Sequence, residues 1–163
     1  MDVLVLSDSH GNKRLVYQLL RSHPLVRYLL FCGDGLADVA DIEEDFPTVT
    51  VYAVRGNCDV FSRFDAEEEQ LVEIDGVRIL LMHGHAYRVK ENLDAAASHA
   101  AHLGADLLLF GHTHLPHEEY REIHSRQLCL FNPGSIGMRG CGGHSFGIIT
   151  IKNKRFIVSH GTL

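Results

Sequence analysis

Five apolar runs in this sequence each stop at residues able to bind a cation or move a proton. Asp8 and His10 follow Val3–Leu6, Asp34 follows Tyr28–Cys32, and Asn57 and Asp59 follow Val49–Val54. His83 follows Val77–Met82, and His112 and His114 follow Leu107–Phe110. Asp8/His10 and His112/His114 are i, i+2 pairs, which project to one side of an extended backbone and can face one ion or two adjacent ions. Taken singly, each residue reads as ordinary surface polarity; the coincidence of five such run ends carries the functional reading. Asp8, His10, Asp34, Asn57, His83, His112 and His114 make a mixed nitrogen and oxygen donor set. It is too nitrogen-rich for Ca²⁺, lacks the thiolates of structural zinc, and suits a divalent first-row ion. Seven ligands exceed what one open catalytic ion needs. They fit two ions about 3.5–4 Å apart that share a carboxylate and clamp the attacking and leaving oxygens of a phosphoryl displacement. Two such ions with Asp8 and Asp34 ionised leave a local charge of about +2, or about +1 with a bridging hydroxide, so the crevice attracts a phosphate anion.

Those residues need a frame that gathers strand ends. The same runs, with Gln70–Ile74, are short, β-branched or leucine-rich and bounded by Gly, Asp or Asn, which predicts mostly buried strands. Asn12–Ser22, with Leu15, Val16, Leu19 and Leu20 at helical spacing, and the alanine-rich Val89–Leu103, ending at Gly104, predict helices. Asp38–Phe46 is a weaker, acidic helix candidate ended by Pro47, and Glu67–Glu69 reads as a solvated loop. From about residue 118, strand-like segments at Glu119–Ile123, Gln127–Phe131, Ser145–Ile151 and Arg155–Ser159 follow one another, predicting a meander. The resulting fold class is α/β, a four-layer sandwich of two mixed sheets with helices outside. In an open α/β sheet the crevice beyond the carboxyl ends of the strands binds ligands, so residues scattered in sequence would converge there.

The 163 residues are expected to form one domain, 1–163, that buries roughly 70% of its surface without disulfide or structural metal. Fifteen Lys and Arg against 21 Asp and Glu, with no basic run, argue against duplex-binding and sequence-specific nucleic-acid recognition. No apolar stretch approaches a membrane span, no basic leader precedes the first strand, and the four cysteines form no CxxC pair; the expectation is a cytoplasmic protein. Twelve histidines stand out. Those away from the strand ends, His23, His99, His102, His117, His124, His144 and His160, read as surface or helix-face residues.

The motifs Asp8-Ser9-His10, Gly33-Asp34, Gly56-Asn57-Cys58-Asp59, His83-Gly84-His85 and Gly111-His112-Thr113-His114 occur in that order. The set resembles the calcineurin-like metallophosphoesterase superfamily, with its DxH, GD, GN(H/C)D, lone H and GHxH blocks. Asn132-Pro133-Gly134-Ser135 is similar to the closing segment of its small single-domain members. The resemblance implies that Asp8, His10, Asp34 and His114 hold a first metal, that Asp34 bridges, and that Asn57, His83 and His112 complete a second. Asp59 would orient its neighbours. Mn²⁺ is the preferred ion, with Fe²⁺, Ni²⁺ or Zn²⁺ also compatible. Asn12, near the start of the first helix, and Arg139, in the glycine-rich segment 137–143, are candidates for substrate binding, beside the plainer readings of a helix cap and an exposed arginine. Cys58 stands where many members carry His. A thiol is a poor general acid near neutrality, and the plainer reading of Cys58 is a buried packing residue. His85 is the next candidate proton donor, so Asn57, Cys58 and His85 form the candidate catalytic set. A small phosphodiester is the expected substrate, hydrolysed by in-line attack of a bridging hydroxide, because an acidic leaving group depends less on a strong acid. The rival is a non-catalytic scaffold like the retromer subunit of this superfamily, disfavoured because every expected ligand is present. Exposed strands in the last third permit a homo-oligomer.

Overall fold

Alternate residues of the first strand face opposite layers, which is why the run is apolar on both sides. In β1 (Asp2–Leu6), Val3 and Val5 join the cluster between two sheets, while Leu4 and Leu6 pack toward Leu15, Val16, Leu19 and Leu20 of α1 (Lys13–Ser22). The computed structural model describes residues 1–138 and 143–163. Arg139, one of the candidate substrate-binding residues, lies outside them.

The remaining elements are β2 (Tyr28–Phe31), α2 (Leu36–Val39), α3 (Ile42–Asp45), β3 (Thr50–Ala53), β4 (Glu69–Ile74), β5 (Val77–Met82), α4 (Asp94–His102), β6 (Leu107–Leu109), β7 (Pro116–Ile123), β8 (Arg126–Pro133), β9 (Ser145–Lys152) and β10 (Arg155–Thr162). A 3-10 turn spans His85–Tyr87. One sheet has the order β10-β9-β1-β2-β3 and the other β4-β5-β6-β8-β7. β1, β2 and β3 run parallel, as do β5, β6 and β8, so within each sheet their carboxyl ends reach one rim. Val3, Val5 and Leu30 of the first sheet pack with Ile79, Leu81, Leu107 and Phe131 of the second, α1 covers the first sheet, and α4 covers the second through Ala96, Ala97 and Ala100. The four-layer α/β sandwich is thus the observed fold.

Four expectations change. The last four strands do not form one meander: the β7–β8 hairpin enters the second sheet, with β8 parallel to β6, and the β9–β10 hairpin returns to the first sheet beside β1. β8 is buried from Leu128 to Pro133, so it needs neighbours on both edges and cover on both faces. The helix expected from Val89 starts at Asp94, whose N–H donates to Asn92 Oδ1 at 3.0 Å. The acidic segment forms the two short helices α2 and α3, and Glu69 opens β4 instead of lying in a loop. Among the described residues no helix is long and apolar enough to cross a membrane.

Candidate metal centre

The backbone turns sharply at the ends of these parallel strands, and the turning residues are the expected ligands. Asp8, His10, Asp34, His112 and His114 have φ of 55°, 45°, 59°, 67° and 60°, in the left-handed region that L residues other than glycine seldom adopt. Each such residue costs roughly 1–2 kcal/mol, a strain that persists only where the surroundings over-determine the conformation.

Asp59 supplies much of that determination for the first sheet. Its carboxylate is buried and accepts four backbone N–H groups, from Asp34 (2.8 Å), Gly35 (2.9 Å), Leu36 (3.0 Å) and Gly56 (2.9 Å). The β2 and β3 ends are thereby laced together. Their approach requires glycine at 56, where an added Cβ would lie 2.1 Å from Asp34 Oδ1 and 2.5 Å from Asp34 N. Asp38 does similar work for the first loop, accepting from Ser9 Oγ at 2.6 Å and Gly11 N at 2.9 Å. Nothing in the sequence marks Asp38 out from its acidic neighbours. The loop after β8 braces the same segment: Ser135 Oγ donates to Asp8 O at 2.8 Å, and Gly137 N to Asp8 O at 3.1 Å. Asn132, fully buried, donates to Gly111 O at 2.8 Å and Thr113 Oγ1 at 3.0 Å, fixing the turn before His114.

The side chains then converge. Asp8, His10 and His114 offer ligand atoms all within 4.8 Å of one another, and so do Asp8, Asp34 and His83. His10 Nε2 and His114 Nε2 face each other at 3.3 Å, and His114 Nε2 stands 3.1 Å from Asp8 Oδ1. His83 Nδ1 donates to Cys32 O at 2.7 Å, which directs the Nε2 lone pair of the neutral ring toward Asn57 Oδ1 (3.1 Å) and Asp34 Oδ2 (3.4 Å). The His112 ring lies edge-on to His83 at 5.0 Å between centroids and 6.2 Å from His85. Asp8, Asp34 and His83 are buried, whereas His10 and His114 keep about a quarter of their side chains exposed (25% and 29%), so the centre opens on the side of the latter pair.

Electrostatics makes the set unbalanced without a cation. Burial pushes the Asp8 carboxyl up, against the opposing pull of His83 and the Ser7 hydroxyl. Burial acts in the same sense on Asp34, but there His83 and the Cys58 N–H, 2.8 Å from Oδ1, win and hold the carboxyl well below the usual range. His83 is raised: burial opposes its charged form, and the adjacent Asp34 and Asp8 outweigh that. His112 is lowered to about 4, by burial first and then by His83 and Lys90. The decisive atom is Asp8 Oδ1, buried and without a hydrogen-bond partner while Oδ2 accepts from Ser7 Oγ and His112 N. An anionic oxygen left so is costly. A divalent ion beside His10, His114 and Asp34 resolves it, and the donor set fits such an ion.

The other expected residues fall out unevenly. His85 stands at the same rim, its ring 5.4 Å from that of His83 and its buried Nδ1 without a partner. Asn12 precedes α1, but its side chain makes no capping bond. Cys58 is exposed, which corrects its reading as a buried packing residue: the turn that draws Asp59 inward leaves Asn57 and Cys58 on the outside.

A family model described as a calcineurin-like phosphoesterase superfamily domain matches residues 1–154. The chain belongs to that superfamily. Its relatives include a protein named probable metallophosphoesterase YsnB from Bacillus subtilis, 34% identical over 94% of this chain and 86% of its own length. Another is phosphodiesterase YfcE from Escherichia coli, 36% identical over 91% of this chain and 87% of its own. Among solved structures, a predicted phosphoesterase from Streptococcus pneumoniae superposes with a TM-score of 0.76 at 25% identity, covering 99% of this chain and 88% of that one. The Zn²⁺ complex of Vps29 from Entamoeba histolytica shares the fold, with a TM-score of 0.72 at 23% identity over 98% and 91% of the two chains. The superfamily match and the phosphoesterase relatives support hydrolase activity on phosphoesters, and the candidate ligand groups support metal binding.

Proposed function

We propose that the chain is a two-metal phosphodiesterase acting on small phosphodiesters, its 163 residues forming one catalytic domain. The observation that carries this reading is the convergence of both buried carboxylates with the imidazoles of His10, His83 and His114 around Asp8 Oδ1, which accepts no hydrogen bond. Asp8, His10, Asp34 and His114 would hold one ion, and Asp34, Asn57, His83 and His112 the other. When bound, such a pair supplies Lewis acidity toward phosphoryl oxygens and lowers the pKa of water. Asn57 contributes an uncharged oxygen, which leaves the positive charge of the site undiminished for an anionic substrate. Cys32 O holds the His83 tautomer by accepting from Nδ1.

The identity of the acid favours diesters with good leaving groups. Partial desolvation at the rim, and then the adjacent Asp34 carboxylate, push the Cys58 thiol up to about 11, too weak an acid to protonate an alkoxide efficiently at neutral pH. His85, with a buried unpartnered Nδ1 beside the candidate ligands, is the better placed proton donor. The relative named phosphodiesterase supports the same substrate class. Mn²⁺ is the proposed activating ion, since the carboxylate and carbonyl donors suit it, while the imidazoles are equally compatible with Fe²⁺, Ni²⁺ or Zn²⁺.

Hydrolysis of an aryl phosphodiester with and without Mn²⁺ tests the reading. The wild type should turn over only with metal, and Asp34→Asn or His83→Ala should lose about a thousandfold or more in kcat. Full rate in either variant refutes the mechanism. Fewer than one divalent ion per chain after Mn²⁺ loading, together with tight capture of a protein partner, would point instead to a scaffold.

A further inference from the structure

At the mouth of the centre, a sulfur that the phosphodiesterase reading does not use joins two of its proposed ligands. His10 Nε2, a carboxylate oxygen of Asp34 and Cys58 Sγ all lie within 4.8 Å of one another. The sulfur is exposed, whereas Cys32 and Cys129 are buried, and its backbone is anchored by the 2.8 Å bond from Cys58 N to Asp34 Oδ1. Asn57 Nδ2 stands 3.4 Å from the sulfur, which keeps the thiol beside a further candidate ligand. Asp8 Oδ1 faces the same His10 imidazole, 3.8 Å from Nε2, buried and accepting no hydrogen bond. A buried carboxylate oxygen that shares His10 with this set is independent reason to expect a cation beside it.

We propose that Cys58 is a conditional metal ligand, left aside by ions that prefer oxygen and drawn in by thiophilic divalent ions such as Zn²⁺ or Cd²⁺. The centre would then have two coordination states that share His10 and Asp34 and differ in one sulfur. Mn²⁺ takes carboxylate and imidazole donors and leaves the thiol protonated. A softer ion displaces the S–H proton to bulk water as the metal–sulfur bond forms. The exposed side chain can rotate toward the ion without disturbing the core, because Asp59, and not Cys58, carries the packing of this turn. The metal supplied to the protein would therefore decide whether the mouth of the site is open or closed by sulfur. This inference rests on the reading of the rim as a metal centre.

Co²⁺ titrated into the metal-free full chain separates the two claims. Nitrogen and oxygen ligation yields weak visible ligand-field bands, and a sulfur ligand adds an intense near-ultraviolet charge-transfer band. The wild type should show both, and Cys58→Ser should keep the visible bands and lose the near-ultraviolet one. In competition, Cd²⁺ affinity should fall about tenfold or more in Cys58→Ser while Mn²⁺ affinity stays within about twofold. A wild-type Co²⁺ complex without the charge-transfer band, or a band that survives in Cys58→Ser, overturns the proposal and leaves the metal centre standing. Failure of the wild type to retain Co²⁺ overturns the metal centre and this proposal together.

Discussion

The two sheets give the candidate centre different mixes of side chain and restrain them differently. The first contributes Asp8, His10, Asp34 and Asn57 from the ends of β1, β2 and β3; the second contributes His83, His112 and His114 from the ends of β5 and β6. On the first sheet, backbone amides clamp the oxygens: Cys58 N binds Asp34, His112 N binds Asp8, and Asp59 gathers four more N–H groups. On the second, His83 is tied to Cys32 O, but among the described residues the His112 ring makes no hydrogen bond, and His114 meets only His10 and Asp8. The carboxylates are tied into the folded frame, and the outer imidazoles have few restraints of their own. Asp59→Ala should therefore have the largest effect, destabilising the metal-free protein by about 3–5 kcal/mol, since it strands amides that hold two strand ends. His114→Ala should leave metal-free stability within about 1 kcal/mol. Urea unfolding of the two variants decides, and equal losses would erase the distinction between the sheets.

Metal should narrow the contrast. At about 100 times its Kd, Mn²⁺ adds about 2.7 kcal/mol to the stability of the wild type, read as a rise in Tm. His114→Ala should lose most of that gain although its metal-free stability is intact. The two bridging-distance carboxylates then divide in sign. Asp8, raised by burial, costs the metal-free fold stability once pH passes the unfolded carboxyl value near about 3.9. An amide at position 8 could keep its oxygen on Ser7 and His112 and turn N–H toward His114. Asp8→Asn should thus stabilise the metal-free protein by about 1 kcal/mol at pH 7, with the gain closing as pH falls through about 4. Asp34 is the reverse: burial disfavours its charge, yet His83 and the Cys58 amide lower it, so its contribution is present above about 3.9 and fades as pH falls further. Asp34→Asn should destabilise the metal-free protein by about 1 kcal/mol, and both variants should forfeit the Mn²⁺ shift. Matching signs for the two would mean that Asp8 Oδ1 finds a partner in solution.

The legible part of this site is the part written in short periods. Strand ends and i, i+2 pairs need only local pattern, so Asp8, His10, Asp34, Asn57, His83, His112 and His114 stand out from the sequence, and the structure gathers them at one rim. The layers were legible for the same reason, since runs apolar on both faces demand cover on both. What stayed hidden depends on long-range pairing. That β8 runs beside β6 while β9 returns to β1 is set by which edges remain open after the hairpins form, and no local period encodes it. Asp38 looks like its acidic neighbours, and only the fold brings it to Ser9 and Gly11. Cys58 looked apolar by type, but the inward turn of Asp59 decides its exposure.

The smallest effect sharpens the comparison at the edge of the second sheet, where side chains tie the turn carrying His85 to β4 and α4. Tyr87 OH donates to Glu69 Oε2 at 2.8 Å, His99 Nε2 meets Glu69 Oε1 at 2.8 Å, and the Tyr87 and His99 rings stack at 5.2 Å. Glu69, read from sequence as part of a solvated loop, thus joins β4, the 3-10 turn and α4. Because these groups are partly exposed, water replaces a lost hydroxyl cheaply, and Tyr87→Phe should cost only about 0.5–1 kcal/mol. Burial, and then Glu69, push the Tyr87 phenol up to about 12. A raised phenol favours the folded state while it stays protonated, so the contribution is complete below the ordinary tyrosine value of about 10 and disappears as pH rises through about 12. The stability gap between wild type and Tyr87→Phe should be flat from neutrality to about pH 9 and closed near pH 12, with tyrosinate absorbance tracking the change. The absence of any gap at neutral pH would show that the ring stacking on His99, which Tyr87→Phe retains, and not the hydroxyl, holds this side of the site.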